Sequence, residues 1–286
     1  YLPALKQLPK EYDLAVAYMH SLPSYYVIDK VNAKRKILWV HNDYSRLAKG
    51  RDFDRPYFEK ADCVVTISEQ CVQELVKAFP DLADKFTCIY NLNPEKKIRE
   101  KALAFYPEEY QNCKGLKLIS IGRLNYQKGF DYAIEAARIL KDKGVDFSWF
   151  IIGSGELKGA LEEQIRSLGV EKAVHLLGER ENPYPYIQNA DIVVQTSRFE
   201  GKSIVLDEAK ILCKPIITTD YVSVHDQIEN GKSGIIVPLD REKIAEGICM
   251  MLDAPDVCRQ LEKELAMIPD MTKIELDKYY KVFCKI

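Results

Sequence analysis

The chain has 286 residues, with 41 Lys and Arg against 43 Asp and Glu, a formal net charge of −2. That balance excludes the basic excess on which a general nucleic-acid binder depends, and 47% hydrophobic with 29% charged residues excludes wholesale disorder. A chain this long buries roughly three quarters of its unfolded surface, which leaves one or two domains open.

No apolar run approaches the ~18 residues that a membrane-spanning helix needs. The chain starts at Tyr1, and no basic n-region with an apolar h-region follows it, so a removed start or a fragment is expected. Its eight cysteines form no C-x-x-C pair, and His20, His41, His175 and His225 are scattered, so no structural zinc site is expected. Cysteines inside apolar stretches, such as Cys63 and Cys88, read as small hydrophobes in a reduced, cytoplasmic compartment.

From Leu14 onward, short apolar runs alternate with amphipathic patterns. The strand-like runs are Leu14–Tyr18, Lys36–Val40, Cys63–Ile67, Phe86–Tyr90, Leu116–Ile121, Phe147–Ile152, Ala173–Leu177, Asp191–Gln195, Pro215–Thr218 and Gly234–Val237. Most do not alternate, as befits strands covered on both faces. Helical segments are read at Glu69–Ala78, Asp131–Lys143, Glu156–Leu168, Ser203–Leu212 and Arg241–Leu252. Ser68 and Ser154 read as N-caps, and Gly144 and Gly169 as helix stops. This β-α succession predicts α/β architecture with parallel sheets and right-handed crossovers.

The polar stretch Pro107–Gly115 reads as a domain boundary. The expected division is a partial first domain over residues 1–110, a doubly wound second domain over 111–270, and a C-terminal helix over 271–286 poised to pack back on the first. In that helix Ile274, Tyr279 or Tyr280, and Phe283 are the apolar contacts.

Some segments could carry chemistry. Ile119-Ser-Ile-Gly-Arg-Leu-Asn-Tyr-Gln-Lys-Gly129 runs from a buried strand into a loop with Gly122, Arg123, Lys128 and Gly129, then into a helix. Ligands bind at the carboxyl ends of strands in open α/β sheets, and these cations suit a diphosphate, Arg123 as a fork and Lys128 as a point charge. The plain alternative is a turn with two solvated cations. Ile152-Gly-Ser-Gly-Glu156 resembles half of a dinucleotide fingerprint without its third glycine; Gly153 serves either a tight turn or close backbone approach to a ligand.

Ser197-Arg-Phe-Glu-Gly-Lys-Ser-Ile-Val-Leu-Asp-Glu208 places Glu200 at the mouth of the sheet. A helix beginning near Ser203 puts Glu208 in its second turn, able to point into the same cleft, and carboxylates there can accept from vicinal hydroxyls. A solvated surface charge is the alternative for either Glu. Trp39-Val-His41-Asn-Asp43 ends a strand, so His41 is either a satisfied core histidine or a site residue. Arg46, Lys49, Arg51 and Arg55 form a basic loop that could meet an acidic acceptor or lipid headgroups, or simply be solvated.

Taken together, Ile-Gly-Arg-Leu with Gln-Lys-Gly, Ile-Ile-Gly-Ser-Gly-Glu, Ala190-Asp191 and Glu200-x7-Glu208 resemble the retaining GT-B glycosyltransferases of family 4, glycosyltransferase group 1. The likeness covers the second domain and extends more loosely to the first through Trp-Val-His41, Ala61-Asp62-Cys-Val-Val-Thr-Ile-Ser68 and Ile89-Tyr-Asn91. The Glu-Gly-Lys-Ser-Ile-Val-Leu-Asp-Glu-Ala run is most similar to bacterial enzymes of surface-polysaccharide assembly.

The resemblance implies two Rossmann-like domains, the first incomplete before Tyr1, and transfer from a nucleotide diphosphate sugar, expected to be UDP-linked, to a glycan or lipid-linked acceptor. It implies Arg123 and Lys128 on the diphosphate without a metal or other cofactor, Glu208 on the ribose and Glu200 on the donor sugar. The N–H groups of Lys202, Ser203 and Ile204 would meet sugar and phosphates, His41 would approach the donor sugar, and Arg180 would border the nucleobase. Lys202-Ser203 replaces the family's usual Phe-Gly pair, so donor-sugar preference does not carry over. A cytoplasmic, membrane-peripheral enzyme with no nucleic-acid partner is the expectation. The alternatives are an epimerase of the same architecture and a non-catalytic nucleotide-sugar-binding fragment; an NAD dehydrogenase is disfavoured by the lack of Gly-x-Gly-x-x-Gly after any strand.

Overall fold

The computed structural model describes residues 4–41, 44, 51–270 and 272–284. Its packing divides the chain into two units, Tyr1–Leu92 with Met271–Ile286, and Asn93–Asp270.

In the first unit the apolar runs become parallel strands β1 (Glu11–Ala17), β2 (Asn32–Val40), β3 (Cys63–Thr66) and β4 (Phe86–Cys88), in the order β1-β2-β3-β4. Three helices accompany them, α1 (Leu22–Lys30), α2 (Arg51–Lys60) and α3 (Glu69–Ala78). Successive strand residues face opposite ways, so a continuous apolar run feeds two cores. Leu38, Val40 and Val64 pack with Phe58, Leu75 and Phe79 on one face. Ile37, Trp39 and Val65 pack with Ile89 and Tyr279 on the other. Ser68 caps α3 as expected, accepting from the Cys71 N–H at 3.1 Å.

The terminal helix Thr272–Cys284 packs against this first unit. Tyr279 stacks on Trp39 with ring centroids 5.9 Å apart, and both Arg35 Nη atoms donate to the Val282 and Phe283 carbonyls. Ile274 and Tyr280, read as possible contacts, are exposed instead, because Tyr279 takes the buried stripe.

The second unit begins with α4 (Glu95–Ala102) and continues through β5 (Leu116–Ile121), α5 (Phe130–Asp142), β6 (Phe147–Ile152), α6 (Lys158–Ser167), β7 (Val174–Gly178), α7 (Tyr184–Asn189), β8 (Ile192–Gln195), α8 (Ile204–Ile211), β9 (Ile216–Thr219), β10 (Ile235–Val237), α9 (Arg241–Asp253) and α10 (Pro255–Ala266). Its strand order is β10-β9-β8-β5-β6-β7, all parallel, a doubly wound sheet whose order reverses between β5 and β8. Leu118, Trp149, Ile192 and Val194 face α5, α6 and α9, whereas Ile119, Phe150, Ile152 and Val193 face α4, α7 and α8.

Residues 93–110, read with the first domain, belong to the second unit. Ile98, Ala102 and Tyr110 are part of its core, with Tyr110 and Phe150 ring centroids 4.6 Å apart. The helix predicted from Glu156 starts at Lys158, and Ser154 is not its cap. The Ser154 hydroxyl donates to Glu179 instead, across to the β7 loop.

Candidate functional site

β5 and β8 pair directly, with Leu118 opposite Ile192 and Ile119 opposite Val193, so their C-terminal loops leave the sheet side by side where strand order reverses. A crevice forms at such a point because crossovers depart to opposite faces. The two loops are knit to one another through backbone carbonyls. Arg198 N–H donates to the Gln127 carbonyl at 2.8 Å, Thr196 Oγ1 to the Lys128 carbonyl at 3.0 Å, and Gln127 Nε2 to the Phe199 carbonyl at 3.0 Å. Arg198 adds a clamp, lying over the rings of Tyr126 and Tyr132 at 4.1 and 4.9 Å and gripping Asp131 by both Nη atoms at 2.9 and 2.5 Å.

That scaffold brings Lys128 and Glu200 together. Lys128 Nζ lies 2.5 Å from Glu200 Oε1, which also accepts from Ser197 Oγ at 2.7 Å, while Oε2 accepts from Gln127 Nε2 at 2.9 Å. Glu200 is only 7% exposed, so its charge depends on these partners. Gln127 and Ser197 were not singled out by sequence; both sit inside the quoted segments, yet only the loop register shows what they hold. Arg123 is exposed; its carbonyl accepts from the Asn125 N–H at 2.8 Å, but its guanidinium makes no hydrogen bond or ion pair with the described residues and is available to an anion.

A cleft of about 330 Å³ lies beside these loops, lined by Gly122 and Arg123 after β5, Gly153 and Ser154 after β6, and Glu179, Arg180 and Pro183 after β7. Gly153 has φ 147°, and a Cβ there would stand 1.8 Å from the Gly122 carbonyl oxygen. This glycine therefore serves close backbone packing between the β5 and β6 loops. The Lys128 stem runs over Gly122, 3.0 Å from where a Cβ would sit. Arg180 borders the cleft, but its guanidinium is engaged by the protein, donating to Tyr186 Oη at 3.0 Å, the Leu177 carbonyl at 2.6 Å and Glu109 Oε1 at 2.8 Å.

The start of α8 differs from expectation. Ser203 is the N-cap, but its N–H donates to Gln227 Oε1 at 2.7 Å and its hydroxyl to Gln195 Oε1 at 2.5 Å. The Ser203 N–H is thus taken by the protein and is not open to sugar or phosphate. Lys202 turns inward to Asp207 at 3.6 Å, while Ile204 stays 51% exposed. Asp207 also meets Lys210 at 3.1 Å, Gln227 Nε2 at 3.1 Å and Asn93 Nδ2 at 3.2 Å. Burial would raise the Asp207 pKa, but Lys210 and Lys202 hold it below the usual carboxylate value.

Glu208 sits in the second turn of α8, where burial pushes its carboxyl up to about 7 against a hydrogen bond from Tyr184. Neither Glu208 nor Ser203 lines the cleft described above.

In the first unit, His41 follows β2, half-buried, with Nε2 2.9 Å from the Tyr18 carbonyl oxygen. Burial lowers its pKa, and this contact assigns the hydrogen of the neutral ring to Nε2, leaving Nδ1 as an acceptor. Of the basic loop, Arg46, Lys49 and the Arg51 side chain lie outside the described residues; Arg55 is paired with Glu59 and Asp81 and so is not an open cation. Among the described residues no group of three or more His, Cys, Asp or Glu side chains could hold a metal ion, and no helix is long and apolar enough to cross a membrane.

Comparison with known proteins bears on this arrangement. A glycosyltransferase of unestablished role in Methanocaldococcus jannaschii is 28% identical over 237 residues, covering 74% of this chain and 58% of that protein. The Campylobacter jejuni N-acetylgalactosamine-N,N'-diacetylbacillosaminyl-diphospho-undecaprenol 4-alpha-N-acetylgalactosaminyltransferase is 31% identical over 219 residues, covering 76% of this chain and 58% of that protein. The chain thus spans a little over half the length of these relatives. Anabaena HepE, solved with UDP-glucose, superposes with TM-score 0.81 over 96% of this chain and 79% of its own, at 16% identity, a likeness of GT-B fold. The pneumococcal O-GlcNAc transferase GtfA, solved with UDP and GlcNAc, gives TM-score 0.75 at 19% identity, covering 95% and 56%. Residues 107–266, more than half the chain and nearly all of the second unit's sheet and helices, match the glycosyl transferases group 1, and the chain belongs to that family.

Proposed function

We propose that the protein is a retaining glycosyltransferase that moves a sugar from a nucleotide diphosphate donor, UDP-linked, to a glycan or lipid-linked acceptor in surface-polysaccharide synthesis. The observation that carries this reading is the pair of cations at the switch point of the second sheet. Arg123 is open beside the cleft, and Lys128 is held by Glu200 next to it. In this reading the diphosphate sits on Arg123 and Lys128, which offset the charge that grows on the leaving nucleotide as its bond to the anomeric carbon breaks. The acceptor oxygen takes the same face of that carbon and gives its proton to the departing diphosphate. Since the cations supply the neutralisation, the reaction needs no metal ion. Glu200 meets the donor sugar's hydroxyls and Glu208 the ribose.

The names of relatives support the acceptor class. The Campylobacter jejuni protein acts on a diphospho-undecaprenol-linked sugar, and an Erwinia amylovora relative, 32% identical over 160 residues, serves amylovoran biosynthesis. A cytoplasmic enzyme held peripherally at the membrane fits such an acceptor. The UDP assignment draws on the UDP complexes of HepE and GtfA. Thermal-shift titration with UDP-, GDP- and ADP-sugars tests the donor: a rise with UDP donors alone supports it, since ligand at a hundred times Kd adds about 2.7 kcal/mol. No rise with any nucleotide sugar contradicts it.

A further inference from the structure

Arg198 grips the β5 loop on both sides of Lys128. Ahead of Lys128, the Arg198 N–H donates to the Gln127 carbonyl at 2.8 Å and Nη1 to the Tyr126 carbonyl at 2.7 Å. Behind it, Nη1 and Nη2 hold the two Asp131 oxygens at 2.9 and 2.5 Å, and the guanidinium lies over the Tyr126 and Tyr132 rings. The segment so gripped is weak by itself. Tyr126–Lys128 is a single 3-10 turn, capped by Asn125 Oδ1 accepting from the Lys128 N–H at 3.2 Å, and the poorer hydrogen bonding of such turns leaves their shape to their surroundings. Gly129 follows with φ 61°, so close to the other loop that a Cβ would stand 2.1 Å from the Thr196 carbonyl oxygen. Only 13% of the Arg198 side chain is exposed, whereas Tyr126 is 66% exposed. A largely covered arginine is thus committed to shaping an exposed turn. The side chain that turn delivers is Lys128, whose stem crosses Gly122 beside Arg123 and whose ammonium meets Glu200, two residues beyond Arg198.

We propose that Arg198 is a positioning residue for the anion site: acting through the 126–131 segment, it fixes where the Lys128 ammonium stands relative to Arg123 and so sets how tightly a diphosphate is held. This rests on the diphosphate reading of those two cations. Arg198 itself touches no ligand, since its donors are taken by the Tyr126 carbonyl and Asp131. It works by tying the loop that carries Lys128 to the loop that carries Glu200. Without it the long Lys128 stem still reaches Glu200, but the turn beneath the stem is free to shift. The ammonium then no longer sits at one fixed place beside Arg123, and ordering it costs part of the binding free energy.

The test is a double-mutant cycle read by calorimetric titration of UDP, with melting temperatures recorded for each protein. R198A is made in the wild-type chain, in R123A and in K128A/E200Q, the last chosen so that no carboxylate is left buried without its cation. R198A is expected to weaken UDP about tenfold in the wild-type chain and by the same factor in R123A, the lower range for losing one charge-assisted hydrogen bond. In K128A/E200Q, where there is no ammonium left to place, it should change UDP affinity by less than about twofold. R198K, which keeps a cation over the rings and a donor for Asp131, should recover part of the wild-type loss. A loss of the same size in all three backgrounds overturns the inference and leaves Arg198 a purely structural residue. Unchanged UDP affinity in R198A also overturns it while the diphosphate reading stands. Where K128A/E200Q binds too weakly to measure, the loss in R198A and its part recovery in R198K decide alone. If the wild-type chain binds no UDP, the diphosphate reading itself falls and takes this inference with it.

Discussion

The Lys128 ammonium and the Glu200 carboxylate, 72 residues apart in sequence, meet at 2.5 Å where the second sheet reverses its strand order. Both are largely buried, with 17% and 7% of their side chains exposed. A pair so placed holds a cation ready beside the cleft without leaving it to fold back on itself. The Arg123 guanidinium has no partner among the described residues and is free to close on a ligand.

The first prediction separates the two cations. Lys128→Ala leaves the Glu200 charge buried with only Ser197 and Gln127 as donors, so it should lower unfolding free energy by roughly 3–5 kcal/mol. Adding Glu200→Gln should return much of that. Arg123→Ala removes no internal contact and should leave stability within about 0.5 kcal/mol of wild type. Urea unfolding of the three variants checks this, and equal loss in Arg123→Ala and Lys128→Ala would refute the distinction.

The second concerns Glu208. Its folded pKa is raised to about 7 from an ordinary value of 4.5, so between those values the folded state holds more protons than the unfolded one. Stability from this group is therefore complete below the ordinary value and is lost as pH rises through 7. Glu208→Gln should accordingly be more stable than wild type at pH 8, by on the order of 2–4 kcal/mol, and nearly equal to it at pH 4. If ribose hydroxyls donate to the carboxylate, UDP affinity should rise several-fold between pH 6 and 8 in wild type and stay flat in Glu208→Gln. Melting curves and titrations across that range give both answers.

The third is a contrast between glycines. Gly153→Ala places a Cβ 1.8 Å from a backbone carbonyl at φ 147°, so the β5 and β6 loops must separate, and a loss of about 3 kcal/mol or more is expected. Gly159, in the first turn of α6, has nothing within 4 Å of its Cβ position, and Gly159→Ala should stabilise by up to about 1 kcal/mol. Chemical denaturation of both variants reads the opposite signs directly.

The fourth lies in the first unit. Asp54, 1% exposed, accepts from Tyr25 Oη at 2.6 Å and Tyr44 Oη at 2.7 Å, with His20 Nε2 3.3 Å away. Burial would raise its pKa, but these donors hold it below the usual carboxylate value. A group with a depressed folded pKa contributes stability above its unfolded pKa and loses it as pH falls through the folded one. Asp54→Ala should therefore destabilise by roughly 2–4 kcal/mol at pH 7 and by less at pH 3. A cost independent of pH would refute the ionic role given to Asp54.

Strands covered on both faces are the most legible part of the sequence. Leu116–Ile121 and Phe147–Ile152 form β5 and β6 to the residue because, Lys117 near the start of β5 apart, every position in them is apolar or small and both faces are covered. Helices with little to bury are nearly silent: α4 hides only Ile98 and Ala102, and α2 carries Pro56 and buries the charged Asp54. Within the site, the glycines and cations of the β5 loop are readable as a phosphate-suited cluster. The pairings that decide their chemistry are not. Lys128 with Glu200 and the Ser203 N–H with Gln227 join loops that only the strand order brings together, and Ser154 loses its cap role to Glu179, 25 residues on. Lys202, legible as a departure from the family, is turned inward by Asp207, five residues on, a contact that depends on the helix start being at Ile204.

Whether a nucleotide diphosphate rests on the open guanidinium of Arg123 is decided by calorimetric titration of UDP into wild type and Arg123→Ala. Wild type should bind saturably and Arg123→Ala at least tenfold more weakly, a loss of about 1.4 kcal/mol or more, with melting temperature unchanged. Equal UDP affinity in the two proteins would contradict it.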